Sequence, residues 1–213
     1  MTEYHKINSI FKRDMTKPKK PFIVGEYSDP AIEYLKDNQW EWTEKVDGTN
    51  ILVMAKSGVI YCEGKTDNAQ IPNHLYARLR EIFSLTDGCG AKLLDAFNND
   101  VCLYGEGFGY KIQGKVGIDY LKDQTDFYLF DIKIGDYWLE REKVIEIGKL
   151  LGITVPVVVG YGTIDEAIRL VSGGFMSAFG TAEAEGLVLR PVVQMFDRKG
   201  NRIITKIKYR DFN

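Results

Sequence analysis

The chain has 213 residues, of which 45% are apolar, 12% aromatic and 27% charged; this is ordinary globular composition and excludes global disorder, collagen and coiled coil. About 70% of the unfolded surface can be buried at this length, in one large domain or two small ones, without disulfide or metal staples. The formal net charge of −2 excludes a uniformly basic coat, yet residues 1–21 carry six Lys/Arg against two acids, and residues 198–210 carry six against none.

In chain order, 17–21 (KPKKP) is a lead-in, so residues 1–21 form a basic N-terminal segment and 22–213 the folded domain. Residues 39–46 (QWEWTEKV) alternate, with Trp40 and Trp42 on one face, and predict a strand. Residues 50–55 and 59–62 flank Lys56-Ser57-Gly58 as a hairpin. Leu75, Leu79, Ile82 and Phe83 share one face of a helix over about 72–85, and a second helix is expected over 91–98. Strands follow at 101–106 and 127–133, the latter turning at Gly135-Asp136. Helices are expected over about 141–151 and 164–172, the second opened by Thr163-x-x-Glu166 as a capping box. Residues 186–190 and 202–210 are two strands joined around 197–201. Short strands outnumber helices and hairpins dominate, which predicts an α+β domain built on antiparallel sheets.

No apolar run reaches the roughly 18 residues of a membrane span, so no membrane partner is expected. Cys62, Cys89 and Cys102 are an odd set with no CxxC pair, against a disulfide framework or a zinc ribbon and for small buried hydrophobes in a reducing cytoplasm. With only His5 and His74 in the chain, histidine triads and His-rich metal sites are poorly supplied.

The sharpest local signal is Glu44-Lys45-Val46-Asp47-Gly48-Thr49-Asn50, a lysine where a strand meets a glycine turn. Alone it is weak: K-x-D-G arises by chance in roughly one protein of this length in twenty. Its company carries more weight. Tyr104-Gly105-Glu106-Gly107, then 127–132 (FYLFDI), then 185–190 (EGLVLR), then Lys206-Ile207-Lys208 follow in order. This series resembles the motifs of covalent nucleotidyltransferases: ATP-dependent DNA ligases, RNA ligases and mRNA capping enzymes. The resemblance spans about residues 40 to 210, and five motifs in one order argue against coincidence. Asn50, five residues after the lysine, resembles the RNA ligase 2-like branch of phage type, where DNA ligases more usually carry arginine.

The chemistry rationalises the pieces. A lysine amine of ordinary pKa, about 10.4, is only about 0.04% neutral at pH 7, a handicap of roughly 4.6 kcal/mol. Nearby positive charge or desolvation must activate it, and Mg²⁺ (or Mn²⁺) with ATP, Lys206 and Lys208 are the candidate sources. The resemblance implies an adenylate on Lys45, with Glu44 and Asn50 lining the nucleotide pocket and Glu106 accepting from a ribose hydroxyl. It implies Phe130 stacked on adenine beside Asp131, Glu185 helping to hold the metal, and Lys65 where the family usually has an arginine contacting ribose or phosphate. Plainer readings stand beside these: Phe130 as core, Glu106 and Glu185 as solvated turn acids, and the cations of 202–210 as protection on an edge strand.

The expected fold is therefore α+β, two antiparallel β-sheets flanked by helices with a nucleotide cleft between them, the ATP-grasp-like nucleotidyltransferase domain of ligases. The expected function is ATP-dependent ligation of RNA 5′-phosphate and 3′-hydroxyl ends through lysyl-AMP and an adenylylated strand. A small DNA ligase, a capping-type guanylyltransferase and a noncatalytic nucleic-acid-binding module are the alternatives. The chain stops five residues after Lys208, where the resemblance implies a further C-terminal domain. The expectation is that the basic N-terminus takes over strand binding or that a partner protein supplies the domain.

Overall fold

The computed structural model describes residues 4–64, 70–97 and 100–212. In chain order the elements are β1 (Asn8–Ser9), β2 (Phe11–Arg13), β3 (Phe22–Tyr27), α1 (Pro30–Leu35), β4 (Trp40–Lys45), β5 (Thr49–Lys56) and β6 (Val59–Gly64). Then come α2 (Asn73–Ile82), α3 (Gly90–Ala96), β7 (Val101–Gly109), α4 (Lys115–Tyr120), β8 (Thr125–Ile134), β9 (Tyr137–Trp138) and α5 (Arg141–Leu151). The chain ends with β10 (Val158–Gly162), α6 (Ile164–Gly173), β11 (Gly186–Pro191), β12 (Thr205–Lys208) and a short 3-10 turn at Tyr209–Asp211. They divide into a central unit, Tyr4 with Asp47–Pro156, and a terminal unit, residues 5–46 with 157–212. Among the described residues no helix is long and apolar enough to cross a membrane.

The central unit is built on an antiparallel sheet of order β6-β5-β7-β8-β9. The β5–β6 hairpin turns at Ser57-Gly58, both at positive φ. One sheet face carries Ile51, Val53, Leu103, Phe127, Leu129 and Ile132, which pack with Leu75, Leu79 and Phe83 of the α2 segment. Leu75 and Leu79 are fully buried, each contributing roughly 1.5–3 kcal/mol as an upper estimate. That burial, at the helical spacing visible in the sequence, is what holds α2 to the sheet.

The terminal unit contains a sheet of order β1-β12-β11-β4-β10 and the β2–β3 hairpin. All pairs are antiparallel except the two-residue β1–β12 contact. Trp40 and Trp42 pack in its core with Leu187, Leu189, Ile207 and the α6 residues Ile164, Ala167 and Val171. Trp40 donates its indole N–H to the Leu35 carbonyl at 2.9 Å, so the tryptophans are packing residues. The expected capping box is present, Thr163 and Glu166 satisfying one another's backbone N–H groups at the start of α6.

Two expectations need correction. The strand expected over 202–210 is only Thr205–Lys208, and it lies between β1 and β11 rather than at an edge. Residues just before it are held locally instead: Asp197 accepts from the Lys199 and Asn201 N–H groups, each at 2.8 Å, and Phe196 bridges Arg202. The N-terminal segment is also more structured than a lead-in, since Ile10 and Phe11 are buried in the core of the terminal unit.

Candidate active site

Strand register assembles the first group of polar residues. Gly186 of β11 pairs with Lys45 on one side and Lys208 on the other, so the two lysines flank the start of β11. Glu185 immediately precedes that position. Lys45 Nζ donates to Glu185 Oε2 at 2.5 Å, and Lys208 forms an ion pair with Oε1. All three side chains are at least four-fifths buried, Glu185 most of all. Burial pushes the Glu185 carboxyl up, but the charge of Lys45, the Lys208 hydrogen bond and the remaining lysine contacts outweigh it and hold its pKa below the ordinary value. Lys206 lies two residues before Lys208 on the same face of β12, half-buried and paired in register with Ser9 and Val188.

Glu44 points to the opposite face of β4 from Lys45. It is 2% exposed, and its carboxylate accepts the Ser177 hydroxyl and, at 2.9 Å, the Ala178 N–H. Ser177 Oγ in turn accepts the Phe179 N–H at 2.9 Å. The acid that the resemblance puts in the nucleotide pocket is thus the anchor of the 177–179 loop. Nothing in the sequence pairs Glu44 with a serine so far along the chain.

The second group lies on the central sheet. Asn50 Nδ2 donates to Glu106 Oε2 at 2.6 Å across β5 and β7. Two residues before Glu106, Tyr104 shares its face, and opposite Tyr104 the β7–β8 register slips so that Phe130 is an extra, bulged residue beside Asp131. Phe130 is half-buried and stands outside the apolar cluster that holds Leu129 and Ile132, so it is not plain core. Asp131 is 1% exposed and accepts the Tyr4 hydroxyl at 2.8 Å. The Asp47-Gly48 turn is fastened to the same unit: the Asp47 N–H donates to Tyr120 Oη at 3.1 Å, and Gln113 Nε2 donates to the Gly48 carbonyl at 2.9 Å. Tyr4, Tyr120 and Ser177 were not singled out from sequence, because each acts through a partner distant along the chain. Lys65 lies outside the described residues.

Among the described residues no group of three or more His, Cys, Asp or Glu side chains is placed to hold a metal ion. Both oxygens of Glu185, the expected metal ligand, face lysines, so the donor set present does not fit a resident metal. The cysteines are free thiols. Burial raises all three above the ordinary thiol range, Cys62 to about 12, and leaves them poor nucleophiles.

The lysine at the end of β4 is thus paired to the glutamate just before β11, in the order that resembles the motifs of nucleotidyltransferase domains of the ligase type. The sequence profile of the family described as RNA ligase matches residues 38–208, and the chain belongs to that family. Among solved structures it is similar to a Naegleria gruberi RNA ligase variant with ATP and Mn, at TM-score 0.66 and 19% identity over 99% of this chain and 58% of that one. A second variant of that ligase, with AMP and Mn, aligns at TM-score 0.64 and 21% identity over 86% of this chain and 53% of that one. The chain therefore spans a little over half the length of those ligases, and the likeness carries the fold. No curated protein sequence matched the chain.

Proposed function

We propose that the protein is an ATP-dependent RNA ligase that works through a lysyl-adenylate on Lys45. The observation that carries this reading is the buried Lys45–Glu185–Lys208 cluster at the ends of three adjacent strands, within a chain of the RNA ligase family. In the first step Lys45 Nζ, having lost a proton to solvent, attacks the α-phosphorus of ATP. A P–N bond forms, the bond to the β-phosphate oxygen breaks, and pyrophosphate leaves. The adenylate then passes to an RNA 5′-phosphate, freeing Lys45, and a 3′-hydroxyl displaces AMP as the phosphodiester forms.

Glu185 positions the amine and is not its base: a carboxyl held below its ordinary pKa is a poor proton acceptor. Lys208, and Lys206 beside it, are proposed to meet the negative charge of the triphosphate as it displaces Lys45 from Glu185. Asn50 and Glu106 are proposed to hold the nucleoside, and Phe130 to stack on adenine, a contact worth roughly 1–3 kcal/mol by analogy with base stacking in nucleic-acid sites. A divalent ion is proposed to arrive with the nucleotide's phosphates, since the described residues offer no cage for one; no step above depends on it.

Intact-mass measurement after incubation with ATP and Mg²⁺ or Mn²⁺ tests the reading. A gain of one AMP is expected, stable in base, labile in acid and absent in Lys45→Ala. Labelling with GTP instead would select the guanylyltransferase alternative. Adenylation that survives Lys45→Ala would remove the assignment.

A further inference from the structure

Tyr4 sits against the residue proposed to stack on the base. Its ring centroid lies 5.2 Å from Tyr104, 5.1 Å from Phe130 and 5.4 Å from Trp138. The Phe130 contact is T-shaped, with an interplanar angle of 73°. The Tyr4 hydroxyl is tied down independently, donating to the nearly fully buried Asp131 at 2.8 Å. From these contacts we infer that Tyr4 is a positioning residue for nucleotide binding: it fixes the plane of Phe130 so that the other side of that ring can receive the base. The inference rests on the reading of Phe130 given above.

The physical case starts from the bulge. A residue in regular β8 would have its rotamer restricted by cross-strand neighbours, but Phe130 is the extra residue, opposite no partner of β7. A half-buried ring there must be ordered either by the protein in advance or by the ligand at the moment of binding. Ordering a side chain on binding costs conformational entropy, which appears directly as weaker affinity. Tyr4 removes that cost through an edge-on aromatic contact. The Asp131 bond matters because Tyr4 lies in none of the β-strands; the bond, together with contacts to Tyr104 and Trp138, holds its ring at Phe130.

This gives the start of the chain a role in the adenylation step, distinct from the strand binding expected of its lysines. A merely structural Tyr4 would change melting temperature and leave nucleotide affinity alone. A positioning Tyr4 changes KM for ATP while the rate of Lys45 labelling at saturating ATP stays close to wild type.

The test measures both parameters, with thermal melts, in Tyr4→Ala, Tyr4→Phe and Phe130→Ala. Tyr4→Ala is expected to raise KM for ATP about three- to tenfold, the affinity equivalent of one lost aromatic contact. Tyr4→Phe keeps the ring but loses the bond to Asp131 that helps hold it, so its KM should lie between those of wild type and Tyr4→Ala. If Phe130→Ala raises KM and Tyr4→Ala does not, the positioning role is overturned while the stacking of Phe130 stands. If Phe130→Ala leaves KM unchanged, the stacking reading fails and takes the Tyr4 role with it.

Discussion

At the scale of single residues, the most informative group is Glu185, because its charge is tied to two lysines that the proposed chemistry needs. Its folded pKa is depressed, so its ion pairs stabilise the protein fully above the unfolded carboxylate value of about 4.3. That stabilisation is lost as pH falls through the lower folded value. Glu185→Gln, nearly isosteric, removes the charge and leaves two largely buried ammonium groups without a counter-ion. Removing one partner of a buried pair costs 3–5 kcal/mol, and the partial exposure of both lysines brings the expectation to about 2–3 kcal/mol at pH 7. Urea unfolding of the two proteins at pH 7, 5 and 3.5 should show that difference shrinking as pH falls. A difference constant with pH would assign it to packing instead. Lys45 and Glu185 were legible in sequence because motif order marked them, but the sharing of one carboxylate by two lysines was not. That geometry comes from the register of β11 against both β4 and β12, which no local pattern encodes.

At the scale of elements, the glycines of Tyr104-Gly105-Glu106-Gly107 have a packing reason. Side chains alternate along β7, so Glu106 faces one side while a Cβ on Gly107 would run into the Leu75 side chain of α2. Gly48 has the same problem toward backbone: its Cβ would collide with the Gly107 carbonyl and the Glu106 side chain. The Asp47-Gly48 turn can therefore lie close to Glu106 only because Gly48 is bare. Gly107→Ala is expected to cost about 1–3 kcal/mol by overpacking. Leu75→Ala should relieve part of that cost, so a double-mutant cycle by thermal or urea unfolding should give a coupling of about 0.5 kcal/mol or more. Strict additivity would place the strain elsewhere. Long elements with strong periodicity, such as α2, α5, α6 and the β5–β6 hairpin, were visible in sequence because local pattern and tertiary burial agree there. The two-residue strands β1 and β9 were not, and β10 (VVGYG) escaped because its glycines interrupt any alternation. The 202–210 stretch misled for the opposite reason: its alternation is real, but its first residues pair back with 195–196, Arg202 bridging Phe196 and the Ile203 N–H donating to the Met195 carbonyl at 2.9 Å.

At the scale of the whole molecule, the distribution of basic charge separates into cations that serve the fold and cations left exposed on a turn. Arg13 pairs with Asp211 at 2.8 Å and lies over the Phe22 ring, which makes it part of the terminal unit's packing. Lys12 makes a loose, exposed contact with Glu26 at 3.6 Å. Lys17, Lys19 and Lys20 sit on the exposed turn between β2 and β3, where Lys17 pairs with Asp14 at 3.3 Å. Exposed pairs of that kind contribute about 0–1 kcal/mol, so all three are available to phosphates at little cost to the fold. Truncation would not test this, because residues 1–20 include Ile10 and Phe11 of the core. Charge neutralisation does: Lys17→Gln, Lys19→Gln and Lys20→Gln together should leave the melting temperature and Lys45 adenylation unchanged while weakening RNA binding. Each phosphate contact on a single strand contributes about 0.7 to the slope of log affinity against log salt, so losing three should flatten that slope by about two units. Affinity titrations of a single-stranded RNA between low and physiological salt read the slope directly. An unchanged slope with intact folding would show that the strand is held elsewhere and that the turn is only a solvated face.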